Sequence, residues 1–380
     1  MKILDRNINV IDAKDDLVKL AKFDKFPIFM GCVNHKESED INIDMEWSIS
    51  KGNGIIQLIK LIPLDILYES DHNSGVVGGI WLSHHKDFAN FIIKFNPNSV
   101  LEIGGGHGIL SREANISKKF DWTIVEPNPS PAPGVKAKFI KSFFDENFQS
   151  NNNYDTIIHS HVFEHIYYPD KFLSNISKFL KDGQKLIFSI PNMEEMLKRK
   201  YTNCLNFEHT YFITEPYVDY LLSKNGFRLI EKQYFKKDHS IFFAYVKDDH
   251  VEQTLLPKQM FTHNKKIFLE YIKHYEDQIK KLNKKIKLIS KKNKLFLFGA
   301  HIFSQFLIKR GLETKNIVCL LDNDQNKHNK RLYGTNLNVY SPKILESVMY
   351  PIIILKAGVY NEEIKKDILS NINSKAIFWE

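Results

Sequence analysis

A chain of 380 residues, 43% of them hydrophobic, is too long for one small domain and suits two or three buried cores, with no tract that reads as disordered. Its three cysteines (Cys32, Cys204, Cys319) lie far apart, which excludes a disulfide framework and suits a reducing, cytoplasmic location. The net charge of +8 suits an anionic small molecule; the lysines are not interleaved with a nucleic-acid-binding motif, and no run of about 18 apolar residues predicts a membrane span.

In chain order, the first part is residues 1–95. Its opening stretch, MKILDRNINVIDAKDD, lacks the apolar core of a signal peptide. Trp47 and the Gly52-Asn53-Gly54 turn are candidate substrate contacts there. His84-His85 precede the apolar run Phe88–Ile93 and read as the start of a helix over a pocket, with His85 facing it. Ser99–Gly108 (SVLEIGGGHG) then reads as a buried strand running into a glycine turn. Glycine is needed where the backbone takes φ > 0 or a ligand approaches closely. Ile109–Ala114 starts a helix whose N-terminal N–H groups face the same spot.

The spacing discriminates between cofactors. A dinucleotide fingerprint, G-x-G-x-x-G, fails from Gly104 and Gly106, where its last glycine falls on Ile109 or Ser111, and from Gly105, where its second falls on His107. The pattern E-x-G-x-G-x-G fits Glu102, Gly104, Gly106 and Gly108 instead. It resembles the first motif of class I S-adenosylmethionine (SAM) methyltransferases. The resemblance implies that the glycines admit the amino-acid end of SAM and that Glu102 helps fix the loop and the ammonium group. Trp122–Val125 is a second strand, closed by Glu126-Pro127-Asn128. An acid about 20 residues on, at the end of the second strand, accepts ribose hydroxyls in such sheets, which suits Glu126 with Pro127 beside it. A third strand from Lys138 ends in Phe143-Phe144-Asp145, aromatics and a carboxylate suited to adenine. Tyr154–His159 is a fourth strand, Pro169–Leu180 a helix, Gln184–Ile190 a fifth strand and Ile241–Val246 a last one. Strands alternating with helices predict a parallel, doubly wound sheet with ligands at the strands' carboxyl ends.

The polar stretch 247–261 reads as a linker. Phe268, Ile272, Tyr275, Ile279, Leu282, Ile286 and Ile289 then recur at spacings of four and three. This is the stripe of a long helix packed on its own protein, since about three heptads are short for a dimerising coiled coil. Lys294–Phe298 leads into Gly299-Ala300-His301, and Val318–Leu321 into Asp322-Asn323-Asp324, with Pro351–Leu355 as a later strand. This unit reads as a degenerate Rossmann-type domain that lacks the glycines for a dinucleotide. The expected fold class is α/β: a small N-terminal domain (1–95), a Rossmann-like methyltransferase domain (96–250), a linker with a long helix (251–292) and a C-terminal α/β domain (293–380).

This layout resembles the three-part SAM-dependent C-methyltransferases of deoxysugar biosynthesis, which act on nucleotide-linked keto-sugars. His161-Val162-Phe163-Glu164-His165-Ile166 is similar to the family's N-V-x-x-H-I segment, and Asn206-Phe207-Glu208-His209 to its Y-H-E-H segment. The resemblance implies acid/base roles for Glu208 and His209 and a pocket position for His165. Methyl transfer needs an anionic or nearly anionic nucleophile, and a histidine can take that proton while a glutamate orients it. His209 is the expected base, Glu208 its orienting group and His165 an assistant. His159 and His161, at the end of a strand that should reach the cofactor, are expected to line its pocket. Tyr201, Asn203, Asn206 and Tyr211 flank the Glu208-His209 loop and are expected to read the substrate. Tyr68 and His72 stand where the family has a tyrosine-rich segment, and are expected to do the same.

The chain departs from that family. Asn206 and Phe207 replace tyrosine and histidine, and His161 replaces asparagine. The family's paired zinc cysteines are missing: one cysteine (Cys32) and one histidine (His35) cannot close a tetrahedral site. No metal is assigned. The expected activity is SAM-dependent methylation of a nucleotide-linked sugar or related glycan or capsule precursor, by a monomer or homodimer. The departures keep an alternative open: O-methylation of another small phosphorylated intermediate. A binding protein that retains the fold without catalysis is a further alternative.

Overall fold

The computed structural model describes residues 2–68, 78–289 and 293–380. His72 therefore lies outside the described residues. Near the N-terminus, β1 (Leu17–Pro27), β2 (Asn42–Ser50) and β3 (Ile56–Leu58) make a three-stranded antiparallel sheet. Helix α1 (Gly79–Ile93) follows. Its Phe88, Ala89, Phe91 and Ile92 are buried against Val100, Ile124 and Phe242, so it packs on the central sheet rather than on β1–β3.

The central sheet has seven strands: β4 (Ser99–Ile103), β5 (Asp121–Glu126), β6 (Lys138–Lys141), β7 (Thr156–Ser160), β8 (Lys185–Pro191), β9 (Phe227–Phe235) and β10 (Ser240–Lys247). Their order is β9-β10-β8-β7-β4-β5-β6. Helices α2 (Ile109–Ser117), α3 (Pro169–Phe179) and α4 (Glu215–Lys224) connect them. Strands β4 and β7 are buried on both faces, as expected of a sheet covered by helices on both sides. The neighbouring pairs from β8 to β6 are parallel. Strand β10 departs from the expected all-parallel sheet, since it runs antiparallel to both β8 and β9. The reason is local. Only the four-residue helix Lys236–His239 joins β9 to β10, and a parallel crossover needs a dozen or more residues. From β4 the chain runs outward to β6, then returns to β7 on the other side of β4. This is the point in an open sheet where a ligand crevice forms.

Helix α5 (Met260–Leu288) buries Phe268, Tyr271, Tyr275, Ile279, Leu282 and Ile286. Its stripe joins a core shared with Met45 and Trp47 of β2 and with Leu297 and Phe306 further on. The second α/β unit has β11 (Leu295–Phe298), α6 (Ile302–Lys309), β12 (Ile317–Leu321), β13 (Val339–Tyr340), β14 (Ile352–Leu355) and β15 (Ile377–Trp379). Its sheet is parallel throughout, in the order β13-β12-β11-β14-β15. The N-terminal part is tied to it directly. Cys32–Val33 pairs with Arg331–Leu332, and Asp40, fully covered, receives Arg331 at 2.7 Å. Among the described residues, no helix is long and apolar enough to cross a membrane.

Candidate active site

The glycine turn after β4 is shaped by contacts that leave no room for side chains at Gly104, Gly105 and Gly108. Gly104 and Gly108 take φ of +77° and +65°, the left-handed region. A Cβ at Gly105 would fall 2.4 Å from the Glu102 carboxyl. Glu102 is buried beneath the turn, and its Oε2 accepts the Trp122 indole N–H at 2.7 Å. Burial pushes its carboxyl up to about 7, with the Trp122 bond opposing. Segment 126–135 folds over the turn: Ser130 N donates to Gly106 O at 2.9 Å, and Ala132 N to His107 O at 3.0 Å. At the end of β5, Glu126 Oε1 accepts from Asn128 N at 3.0 Å. A Cβ at Gly106 would point at the Glu126 carboxyl, 3.6 Å away. The turn, the first N–H groups of α2 and Glu126 thus form a cradle open on one side.

The cradle opens into a cavity of about 1000 Å³. Glu102, Gly104, Gly106, Gly108, Glu126, Pro127, Phe143 and Phe144 all line it. Phe143 is 39% exposed, whereas Phe144 also packs against Phe148, Phe172 and Phe179. Beyond the cofactor cradle the cavity reaches Met30 and Leu64 of the N-terminal part. It also reaches Gly299, His301, Asp322, Asp324 and Lys327 at the carboxyl ends of β11 and β12. There Gly299 turns at φ +99°, and Asp322 accepts Ala300 N at 2.8 Å. The crevices of both α/β units therefore face one space.

Two loops carry the acid/base candidates to one wall of this cavity. The turn after β7 brings Glu164 and His165, and the loop before α4 brings Glu208 and His209. All four line the cavity, as do Tyr68, His85, His161, Asn203 and Asn206. His165 Nδ1 lies 3.1 Å from the Tyr68 hydroxyl and 3.8 Å from Glu208 Oε2. Its ring centroid is 5.5 Å from that of His209. The glutamate expected to orient His209 is therefore beside His165 instead. The backbone turns between Glu208 and His209. That turn is made by Asn206, whose Oδ1 accepts the N–H groups of Glu208 at 2.8 Å and His209 at 2.7 Å. Burial holds His209 down to about 4 and leaves its imidazole neutral; nearby Glu164 and Glu208 pull the other way. Glu164 is wholly buried, which pushes its carboxyl up.

Three expected contacts fall elsewhere. His159 does not reach the cavity. It is wholly buried among Phe163, Phe172 and Phe188, with neither ring nitrogen hydrogen-bonded. The strand ends at Ser160 and the backbone turns left-handed at His161 (φ +53°), so the alternation that would keep His159 and His161 on one face stops between them and His159 stays in the core. Tyr211 is also wholly buried, its hydroxyl donating to Phe163 O at 2.6 Å. Tyr201 donates its hydroxyl to Asp238 and lays its ring over Gly358, so it joins the parts of the chain rather than lining the cavity.

One residue with no signal in the sequence organises the site. The buried guanidinium of Arg6 donates to Leu58 O at 2.9 Å, Tyr167 O at 3.0 Å and Thr210 O at 2.5 Å. It pins the backbone just after His209 to the backbone just after His165. Burial lowers its pKa to about 10, which leaves it charged at neutral pH.

Residues 83–232 match the model of a methyltransferase domain. No curated protein matches the chain. Similar solved structures include magnesium protoporphyrin IX methyltransferase from Synechocystis with bound S-adenosylhomocysteine. It is 16% identical, with a TM-score of 0.37 over 47% of this chain and 91% of that one. The N-methyltransferase NodS from Bradyrhizobium japonicum is 13% identical, with a TM-score of 0.33 over 44% of this chain and 97% of that one. The plantazolicin methyltransferase BpumL in complex with S-adenosylhomocysteine is 14% identical, with a TM-score of 0.35, over 44% and 84% of the two chains. The part of the chain that matches, residues 83–232, is a methyltransferase domain. The matched domain makes the protein a methyl-transfer enzyme.

Proposed function

We propose that the enzyme methylates a nucleotide-linked sugar or a related glycan precursor, with His209 as the base. The observation that carries this reading is the shared cavity. The cofactor cradle, the His165 and His209 loops and the Asp322–Lys327 edge of the second α/β unit all line one space of about 1000 Å³. That is the upper end of the range for a single-ligand pocket, and suits a cofactor with an extended second molecule beside it. Lys327, ion-paired with Asp322 at 3.1 Å, and His301 provide donor groups at the far end, where an anionic part of the substrate would lie.

Gly104–Gly108 and Glu126 fit SAM, since the turn presents bare backbone and the acid stands where a ribose would be held. When bound, SAM supplies a methyl group on a sulfonium, already activated for in-line transfer. The protein's remaining work is to orient the acceptor and remove its proton. His209, kept neutral by burial, accepts that proton. Glu164 and Glu208, both buried, stabilise the imidazolium that forms. His165, held at Nδ1 by Tyr68, presents its other edge to the acceptor.

Phe207 favours oxygen over carbon as the acceptor atom. The resembling C-methyltransferases have a histidine at that position, but Phe207 is buried against Phe26 at 6.2 Å and contributes no polar group. The test is methyl transfer from labelled SAM to a panel of nucleotide-linked sugars, with carbon NMR of the product locating the new methyl. His209→Ala is expected to lower turnover by about 100-fold or more while S-adenosylhomocysteine affinity stays within about twofold. Unchanged turnover would remove the base assignment, and transfer only to acceptors lacking a sugar would remove the substrate class.

A further inference from the structure

We infer that His84, His161 and His239 form a binding site for one transition-metal ion of the zinc class. The three come from α1, from the turn after β7 and from the short helix before β10. One donor atom of each lies within 4.8 Å of the others. His84 is wholly buried, and neither of its ring nitrogens has a hydrogen-bond partner. A buried polar group left unpaired costs about 1–3 kcal/mol, and His84, unlike the equally unpaired His159, has two further histidines within reach to share a ligand.

The other two rings already converge. His161 Nε2 and His239 Nδ1 meet at the Ser240 hydroxyl, at 2.8 and 2.6 Å. Behind His161, Nδ1 lies 3.3 Å from Oε1 of the buried Glu164. A carboxylate on the far nitrogen is the arrangement that orients a metal-bound imidazole and raises its basicity. The backbone of His161 is left-handed, at φ +53°, a conformation that costs a non-glycine residue about 1 kcal/mol or more. Trp81 covers the cluster, its ring centroid 5.1, 5.0 and 4.9 Å from those of His84, His161 and His239. An apolar cap of this kind limits solvent access.

Three imidazoles without a carboxylate ligand suit zinc, copper, nickel or iron and not calcium or magnesium. Three protein ligands with a fourth position left open is the pattern of reactive zinc sites. Tetrahedral ligands at 2.0–2.1 Å stand roughly 3.3 Å apart, so imidazole donors within 4.8 Å of one another draw together by at most about 1.5 Å on binding. The Ser240 hydroxyl moves aside or serves as the fourth ligand. Otherwise water or a substrate oxygen takes that place, because His161 lines the methyl-transfer cavity.

The test uses the full chain, prepared without a histidine tag and stripped with a chelator. Cobalt(II) titration followed by visible absorption, zinc competition and elemental analysis read out the site. The expected result is one ion per chain with sub-micromolar affinity. Binding should weaken at least 100-fold in His84→Ala and in His239→Gln. Glu164→Gln should weaken it about 10–100-fold. Far-UV circular dichroism and S-adenosylhomocysteine binding report whether each variant is folded. His209→Gln should bind the metal as the wild type does. No stoichiometric binding overturns the proposal. So does binding that survives His84→Ala and His239→Gln, or that is lost in folded His209→Gln.

Discussion

Replacing Gly105 by alanine tests the construction of the cofactor cradle. The new methyl would stand 2.4 Å from both the carboxyl carbon and Oε1 of Glu102. The obstruction is not the loose end of a flexible chain. Glu102 is 3% exposed and its carboxylate is held by the Trp122 indole. To make room, the carboxyl must swing away and lose that bond, or the turn must lift. Overpacking a tight site costs about 1–3 kcal/mol, and a lost buried hydrogen bond adds about 1–2 kcal/mol. The sum, about 2–5 kcal/mol, corresponds to a fall in melting temperature of roughly 5–15 °C for a domain of this size. Gly106→Ala is the contrast. Its methyl would meet the Glu126 carboxyl at 3.6 Å, an ordinary contact. Melting should move by no more than about 2 °C, but the cofactor space is narrowed and S-adenosylhomocysteine affinity should fall about tenfold or more. Scanning fluorimetry and titration calorimetry read both quantities. In a Glu102→Ala background the obstruction is gone, so adding Gly105→Ala should cost less than about 0.5 kcal/mol. A Gly105→Ala protein that melts and binds as the wild type does would refute this account of the turn.

Further outcomes follow from the same geometry. His159→Phe exchanges an unbonded buried imidazole for an apolar ring among Phe163, Phe172 and Phe188; stability should hold or rise by about 1–2 kcal/mol, with S-adenosylhomocysteine affinity unchanged by calorimetry. A large loss of affinity there would restore His159 to the cofactor site. Asn206→Ala removes the oxygen that holds the Glu208 and His209 amides, so kcat should fall about tenfold or more with KM for SAM nearly unchanged, and Asn206→Asp should recover much of it. Glu102 has a stability signature in pH. Its folded value of about 7 stands above the ordinary 4.5, so the folded state keeps a proton that the unfolded state releases. That contribution is fully present below about pH 4.5 and is lost as pH rises through 7, up to about 3 kcal/mol. The melting temperature of Glu102→Gln minus that of the wild type should therefore climb across this window; a flat difference would contradict the assignment.

Local chemistry was legible where the chain repeats a short physical requirement. The glycine turn after β4, Glu126 at the end of β5 and the alternation of strands and helices each rest on neighbours in sequence. So does the α5 stripe, because a 3.6-residue period declares a buried face without reference to the partner. The reversed direction of β10 was not legible in composition, since a buried strand of either direction has the same apolar residues. The misplaced histidine, His159, follows from where β7 ends: the left-handed turn at His161 breaks the alternation that would have kept both on one face.

The sequence by itself determined the class of cofactor loop, the Rossmann-like central domain and the two segments that bring Glu208, His209 and His165 to a pocket. Only the tertiary structure decided who faces whom. It paired Glu208 with His165 rather than with His209, set Arg6 behind both loops, opened the two α/β crevices into one cavity and gathered His84, His161 and His239 under Trp81. The physical reason is range. A turn or a helix face is set by residues a few positions apart, whose backbone geometry is nearly fixed by their own chemistry. A cavity wall is set by distant segments whose mutual positions follow from the packing of whole cores, and no local spacing encodes that.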